Sequence, residues 1–189
     1  MAGTLNQKVV NWAAGKKGQS VGAGECWDLA NSALLRAGAG TSSDFGPTGD
    51  DADYVWGTPV PDLKDVIPGD ILQYRDYVMT TTTNTEVTFA DGSGWVGDAS
   101  AEITHGHHTS IVSVNPGNGG LTVLEQNDKG HHEKVKSTPI RWKDATTTKT
   151  TTKKMMVRED NKKSEMATVV VTVDVSVTGT LKAYRPKVK

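Results

Sequence analysis

Cys26, Leu29, Ala30, Ala33, Leu34 and Ala37 recur at the i, i+3, i+4, i+7, i+8 and i+11 positions of one helical face, and Gly38 follows the last of them. A chain carrying such a stripe must bury it, so the segment predicts an amphipathic helix packed on a second layer of structure. Upstream, Thr4 and Gln7 have the spacing of a capping box, and Leu5, Val9, Trp12 and Ala13 share a face. They predict a first helix from about Leu5 to Ala14. The residues from Gly15 to Gly24 that join the two helices are punctuated by glycine.

From Ala39 to Pro68 the chain reads as an irregular surface excursion, rich in Gly, Ser and Pro, with an acidic group at Asp50, Asp51 and Asp53. Short β-type runs follow at Asp70 to Tyr74, Glu86 to Phe89, His108 to Val114, Leu121 to Asn127 and Thr168 to Tyr184. Helices first and strands later predict an α+β fold, with two N-terminal helices on an antiparallel sheet. Two threonine tracts, Thr80 to Thr83 and Thr146 to Thr152, read as solvated segments. The second leads into a Lys-rich and Glu-rich stretch, which predicts a mobile insertion at about 143–166 within a single domain spanning 1–189.

A net charge of −1 gives no electrostatic footprint for nucleic acid. No run of apolar residues is long enough for a membrane-spanning helix, and the first twenty residues lack the apolar core of a secretory signal. A monomer is expected, and the site of action stays open. The one cysteine rules out an intramolecular disulfide and a cysteine-rich zinc site, so the thiol of Cys26 needs its own explanation.

Cys26 opens the second helix, where backbone N–H groups and the dipole favour a thiolate. An activated thiol also needs an imidazole to take its proton. Of the five histidines, His105, His107 and His108 cluster ahead of Thr109-Ser110-Ile111-Val112, while His131 and His132 lie in a polar turn. Strand alternation puts His108, Ser110, Val112 and Val114 on one face, the one expected to meet the helix. In the next run Leu121, Val123, Glu125 and Asn127 share a face, and Asn115 to Gly120 supplies a turn. A hairpin would set Glu125 and Asn127 beside His108 to orient its ring. Gln19 is a candidate oxyanion donor, and His107 remains the alternative base.

Gly24-Glu25-Cys26-Trp27, Pro68-Gly69-Asp70-Ile71-Leu72, His108-Thr109-Ser110-Ile111-Val112 and Glu125-Gln126-Asn127 together resemble the ordered signatures of the CHAP family of cysteine, histidine-dependent amidohydrolases and peptidases. The resemblance spans roughly residues 5 to 128, and Tyr184-Arg185-Pro186 is similar to the closing strand of such domains. It implies a papain-like core with Cys26 as nucleophile, His108 as general base and acid, Glu125 as the orienting carboxylate and Asn127 as a further polar partner. It also implies cleavage of amide bonds in peptidoglycan, by an amidase or an endopeptidase. The alternative it leaves is an inactive module that binds cell-wall fragments or a protein partner. No cofactor is implied by the catalytic set. Some CHAP relatives bind calcium, but through an acidic loop before the cysteine, whereas Asp50, Asp51 and Asp53 follow it.

Overall fold

In the computed structural model, residues 3–49, 51–156 and 164–189 are described. Asp50 and the end of the expected insertion, 157–163, lie outside them. Helix α1 covers Leu5–Ala14, opened by Thr4, whose hydroxyl accepts the Gln7 amide at 3.2 Å. Helix α2 covers Cys26–Ala37 and ends at Gly38 in the left-handed conformation, φ +80°. Both run over the ranges that their periodicity predicts. The buried residues of α2 are the predicted stripe from Leu29 to Ala37. They pack with Val9, Val10 and Ala13 of α1 and with Ile71, Ile111 and Leu124.

A short helix α3, Ser42–Phe45, is followed by seven strands: β1 Thr58–Val60, β2 Ile71–Phe89, β3 Gly94–Val114, β4 Gly120–Glu125, β5 Lys136–Arg141, β6 Ala145–Met156 and β7 Ser164–Arg185. They form one sheet in the order β1-β7-β2-β3-β4-β5, with β6 paired to β7. Pairing is antiparallel between β1 and β7, β3 and β4, β4 and β5, and β6 and β7. The expected α+β, papain-like arrangement of helices over a sheet is therefore corrected. The molecule is mostly antiparallel β-structure, and the helices are the minor part.

The physical reason lies in the threonines. Thr80 to Thr83 sit within β2, joining two runs that read as separate, and Thr146 to Thr152 sit within β6. Threonine is β-branched and favours a pleated strand, even one exposed along nearly its whole length as β6 is. Polarity suggested loop, while backbone preference and pairing with β7 determined strand.

The chain divides into two compact units. One comprises Met1–Val78, Thr104–Lys143 and Val177–Lys189, and contains the helices and their core. The other comprises Met79–Ile103 and Asp144–Ser176, with a small core of Val87, Phe89, Ala167 and Val169. No helix among the described residues is long and apolar enough to cross a membrane.

Within the first unit, the turn before β2 is fixed by a close approach. Gly69 has φ +93°, and a Cβ there would lie 2.2 Å from the Asn6 carbonyl oxygen. Asp70 follows with no exposed surface and accepts from Asn6 Nδ2 at 2.8 Å, from the Ile67 amide at 2.9 Å and from Arg185 at 3.1 and 2.9 Å. One buried carboxylate thus joins α1, the start of β2 and the end of β7.

Candidate active site

Cys26 is the first residue of α2 and is half-buried. Burial pushes its thiol up, against the pull of the Thr109 and Trp27 amides that bond to the sulfur. The dipole argument for a preformed thiolate is corrected by the helix's own caps. Glu25 and Asp28 form the reciprocal capping box, so two carboxyl side chains already occupy the positive end of α2, and the charge of Glu25 adds to the upward shift. The amides of the loop before Cys26 are also occupied. Asp28 accepts from Ala23 and Glu25 at 2.9 and 3.1 Å, and Gly24 donates to the Val21 carbonyl at 3.0 Å. Gly22 is required here, since at φ +61° a Cβ would lie 2.5 Å from the Asp28 carboxyl carbon.

His108 is 4% exposed and bonds through Nε2 to Glu125 Oε2 at 3.0 Å. Burial pulls its imidazole below the ordinary range, and the His105 ring adds to this, while Glu125 opposes both. Glu125, at the end of β4, has no exposed surface. Burial pushes its carboxyl up, but the imidazoles of His105 and His108 more than offset this and hold it well below the usual carboxylate range. Thiol and imidazole are thus both displaced toward their neutral forms.

Strand alternation assigned the wrong face to the helix. Ile111 and Leu124 pack in the core with α2, and Thr109 and Gln126 share their parity. Ser110, on the parity of His108, bonds to the Tyr74 hydroxyl at 2.7 Å. On the helix side it is Thr109, the residue after His108, whose backbone amide lowers the Cys26 thiol against its burial. Thr109 is itself fixed by a hydroxyl bond to Gln73 at 2.8 Å, and Gln73 accepts from Trp56 at 3.1 Å.

The remaining candidates are placed elsewhere. Asn127 lies past the end of β4 at φ +57°, donates to Glu25 at 2.5 Å and accepts from the His132 amide at 2.7 Å, so its side chain engages the loop before α2. Gln19 is exposed, and its amide reaches the Gly15 carbonyl at 3.4 Å. His107 lines a cleft of about 630 Å³ together with Cys26, Glu25, Trp27, Asp28 and Tyr54. Its Nε2 is 2.7 Å from the Ala52 carbonyl. Asp51 and Asp53 are both bound by Arg75, and Asp53 also by Lys182 at 3.1 Å.

Gln126 is a positioning residue that sequence reasoning gave no role. Fully buried, it accepts from the Val21 amide at 3.0 Å and donates to the carbonyls of Val21 at 2.9 Å and Glu25 at 2.6 Å. It holds the approach to Cys26 against β4. Its signal was parity, since it alternates with Glu125 and shares the face of Leu124.

Residues 1–147 match the family described as the AIM3/BBC1 cysteine proteinase-fold domain. The chain belongs to that family. A relative in Debaryomyces hansenii, altered inheritance of mitochondria protein 3, is 32% identical over 137 residues, covering 65% of the chain and 13% of the relative. The chain thus spans a small part of that protein's length. No solved structure matches the chain. The AIM3/BBC1 match supports a cysteine proteinase-fold family and overturns the expected peptidoglycan hydrolase, together with its wall-binding alternative. Motif order misled because a thiol, an imidazole and a carboxylate in sequence specify a chemistry, while the substrate is set by the loops around them.

Proposed function

We propose that this AIM3/BBC1 domain is a cysteine peptidase or amidohydrolase that cleaves an amide in a peptide, using Cys26, His108 and Glu125. The observation that carries the reading is the buried His108–Glu125 pair at 3.0 Å, whose histidine adjoins Thr109, the residue whose backbone amide favours the Cys26 thiolate. The likeness to the CHAP signatures belongs to the same proposal, at the level of the catalytic set and apart from any wall substrate.

The neutral tendencies of the pair favour general-base catalysis over a standing ion pair. His108 donates Nε2–H to Glu125, which leaves the Nδ1 lone pair to take the thiol proton as sulfur attacks the amide carbon. His108 then gives that proton to the departing amine, leaving a thioester on Cys26. Water, deprotonated by the same nitrogen, hydrolyses the thioester and restores the thiol. Trp27, Tyr54 and His107 line the cleft beside the sulfur and offer aromatic surface to the substrate.

The test is incubation with a mixed-sequence peptide library and mass spectrometry of the products. New peptide termini made by the native chain and absent with Cys26→Ser support the reading. Identical product lists from the two proteins would sink it.

A further inference from the structure

The least explained polar group in the first unit is His105. It is 3% exposed, yet among the described residues neither ring nitrogen makes a hydrogen bond of good geometry, and Nε2 has only the ion-pair contact to Glu125. It is packed between aromatic rings, stacked on His108 at 4.3 Å between centroids and on Tyr77 at 5.9 Å, with the edge of Tyr74 at 4.9 Å. A buried imidazole without well-formed hydrogen bonds is costly unless something else satisfies its nitrogens. Glu125 adds a second unmet demand, because its Oε1 is buried without a partner among the described residues.

These unmet groups converge. His105 Nε2 lies 3.4 Å from Glu125 Oε2, His108 Nε2 lies 3.0 Å from the same oxygen, and ligand atoms of all three residues fall within 4.8 Å of one another. Metal bonds of about 2.0–2.2 Å to nitrogen and oxygen place the corners of a tetrahedron roughly 3.4 Å apart. The edges of 3.4 and 3.0 Å need little adjustment to reach that spacing. Two imidazoles and a carboxylate suit zinc and its neighbours better than calcium or magnesium, which prefer oxygen.

We propose that His105, His108 and Glu125 form a binding site for a divalent transition metal of the zinc class, and that filling it blocks Cys26 by fixing the tautomer of His108. A metal on Nε2 of His108 leaves its one ring proton on Nδ1. Nδ1 then donates where it had accepted, and the thiol proton has no destination. Catalysis and metal binding need opposite tautomers of His108 and exclude each other. The inhibitory half rests on His108 being the base of Cys26, whereas the binding half stands on the three ligands alone.

Equilibrium dialysis of the metal-free Cys26→Ser chain against Zn²⁺ tests the binding half without reference to activity. About one equivalent should bind, weakened at least about tenfold in Glu125→Gln and in His105→Phe, the latter retaining a ring against His108 and Tyr77. No bound equivalent, or binding undiminished in both variants, as ligation by the exposed His131 and His132 would give, overturns the site. Cys26 alkylation in the otherwise native chain then tests the inhibitory half. Zn²⁺ should slow it, and His105→Phe should abolish the slowing. Zinc bound at the site with alkylation unchanged would overturn the inhibition and leave the site standing.

Discussion

Glu125 carries its charge with no exposed surface, and the groups beside it decide how the protein responds to acid. Its carboxyl is held below the ordinary value in the folded chain, so the stability it contributes is present above roughly pH 4.3 and is lost as pH falls further. The His108 imidazole is also held down, so protonation favours the unfolded chain and its contribution falls away from about pH 6.5 downward. Urea unfolding between neutral and acid pH should therefore give two successive losses of stability. Glu125→Gln should remove the lower and His108→Gln the upper. An acid profile for Glu125→Gln identical to that of the native chain would contradict the assignment. The residues of this pair were legible in the sequence, because an imidazole and a carboxylate on neighbouring strands can be counted by parity. Their orientation toward the helix was not. Parity says which residues share a face, but only packing says which face the helix covers, and Ile111 and Leu124 occupy that face.

At the scale of elements, α2 was readable throughout because its stripe and its terminal glycine agree. The strands were less so. Polarity and backbone preference conflict in the threonine tracts, and single residues carry no record of a partner such as β7. The attachment of α2 to the sheet was hidden for a similar reason, since it depends on the side chain of Gln126 meeting backbone groups more than a hundred positions away. Gln126→Ala would leave the Val21 amide and two carbonyls unpaired, at a cost of about 1–3 kcal/mol. Gln126→Glu keeps the acceptor for Val21 but sets a carboxylate against the two carbonyls, and should cost at least as much. Chemical denaturation measures both. Unchanged midpoints would mean that this loop is held by other contacts.

Across the whole molecule, the sequence signatures have separate structural meanings. Pro68-Gly69-Asp70 and the terminal Tyr184-Arg185-Pro186 are far apart in the chain but meet in the Asp70–Arg185 ion pair, which is a structural tie. Cys26, His108 and Glu125 carry the proposed chemistry, which is in keeping with a cysteine proteinase-fold family and does not specify the wall substrate that motif order suggested. The central claim is that His108 serves Cys26 as its base. It is tested most directly by following alkylation of Cys26 with a small haloacetamide across pH, in the native chain and in His108→Ala and His107→Ala. At neutral pH the native chain and His107→Ala should react at least about tenfold faster than His108→Ala. His108→Ala should react appreciably only above the ordinary thiol range of about 8.5, because burial raises the thiol. Coincident profiles for all three proteins, or slowing confined to His107→Ala, would contradict the claim.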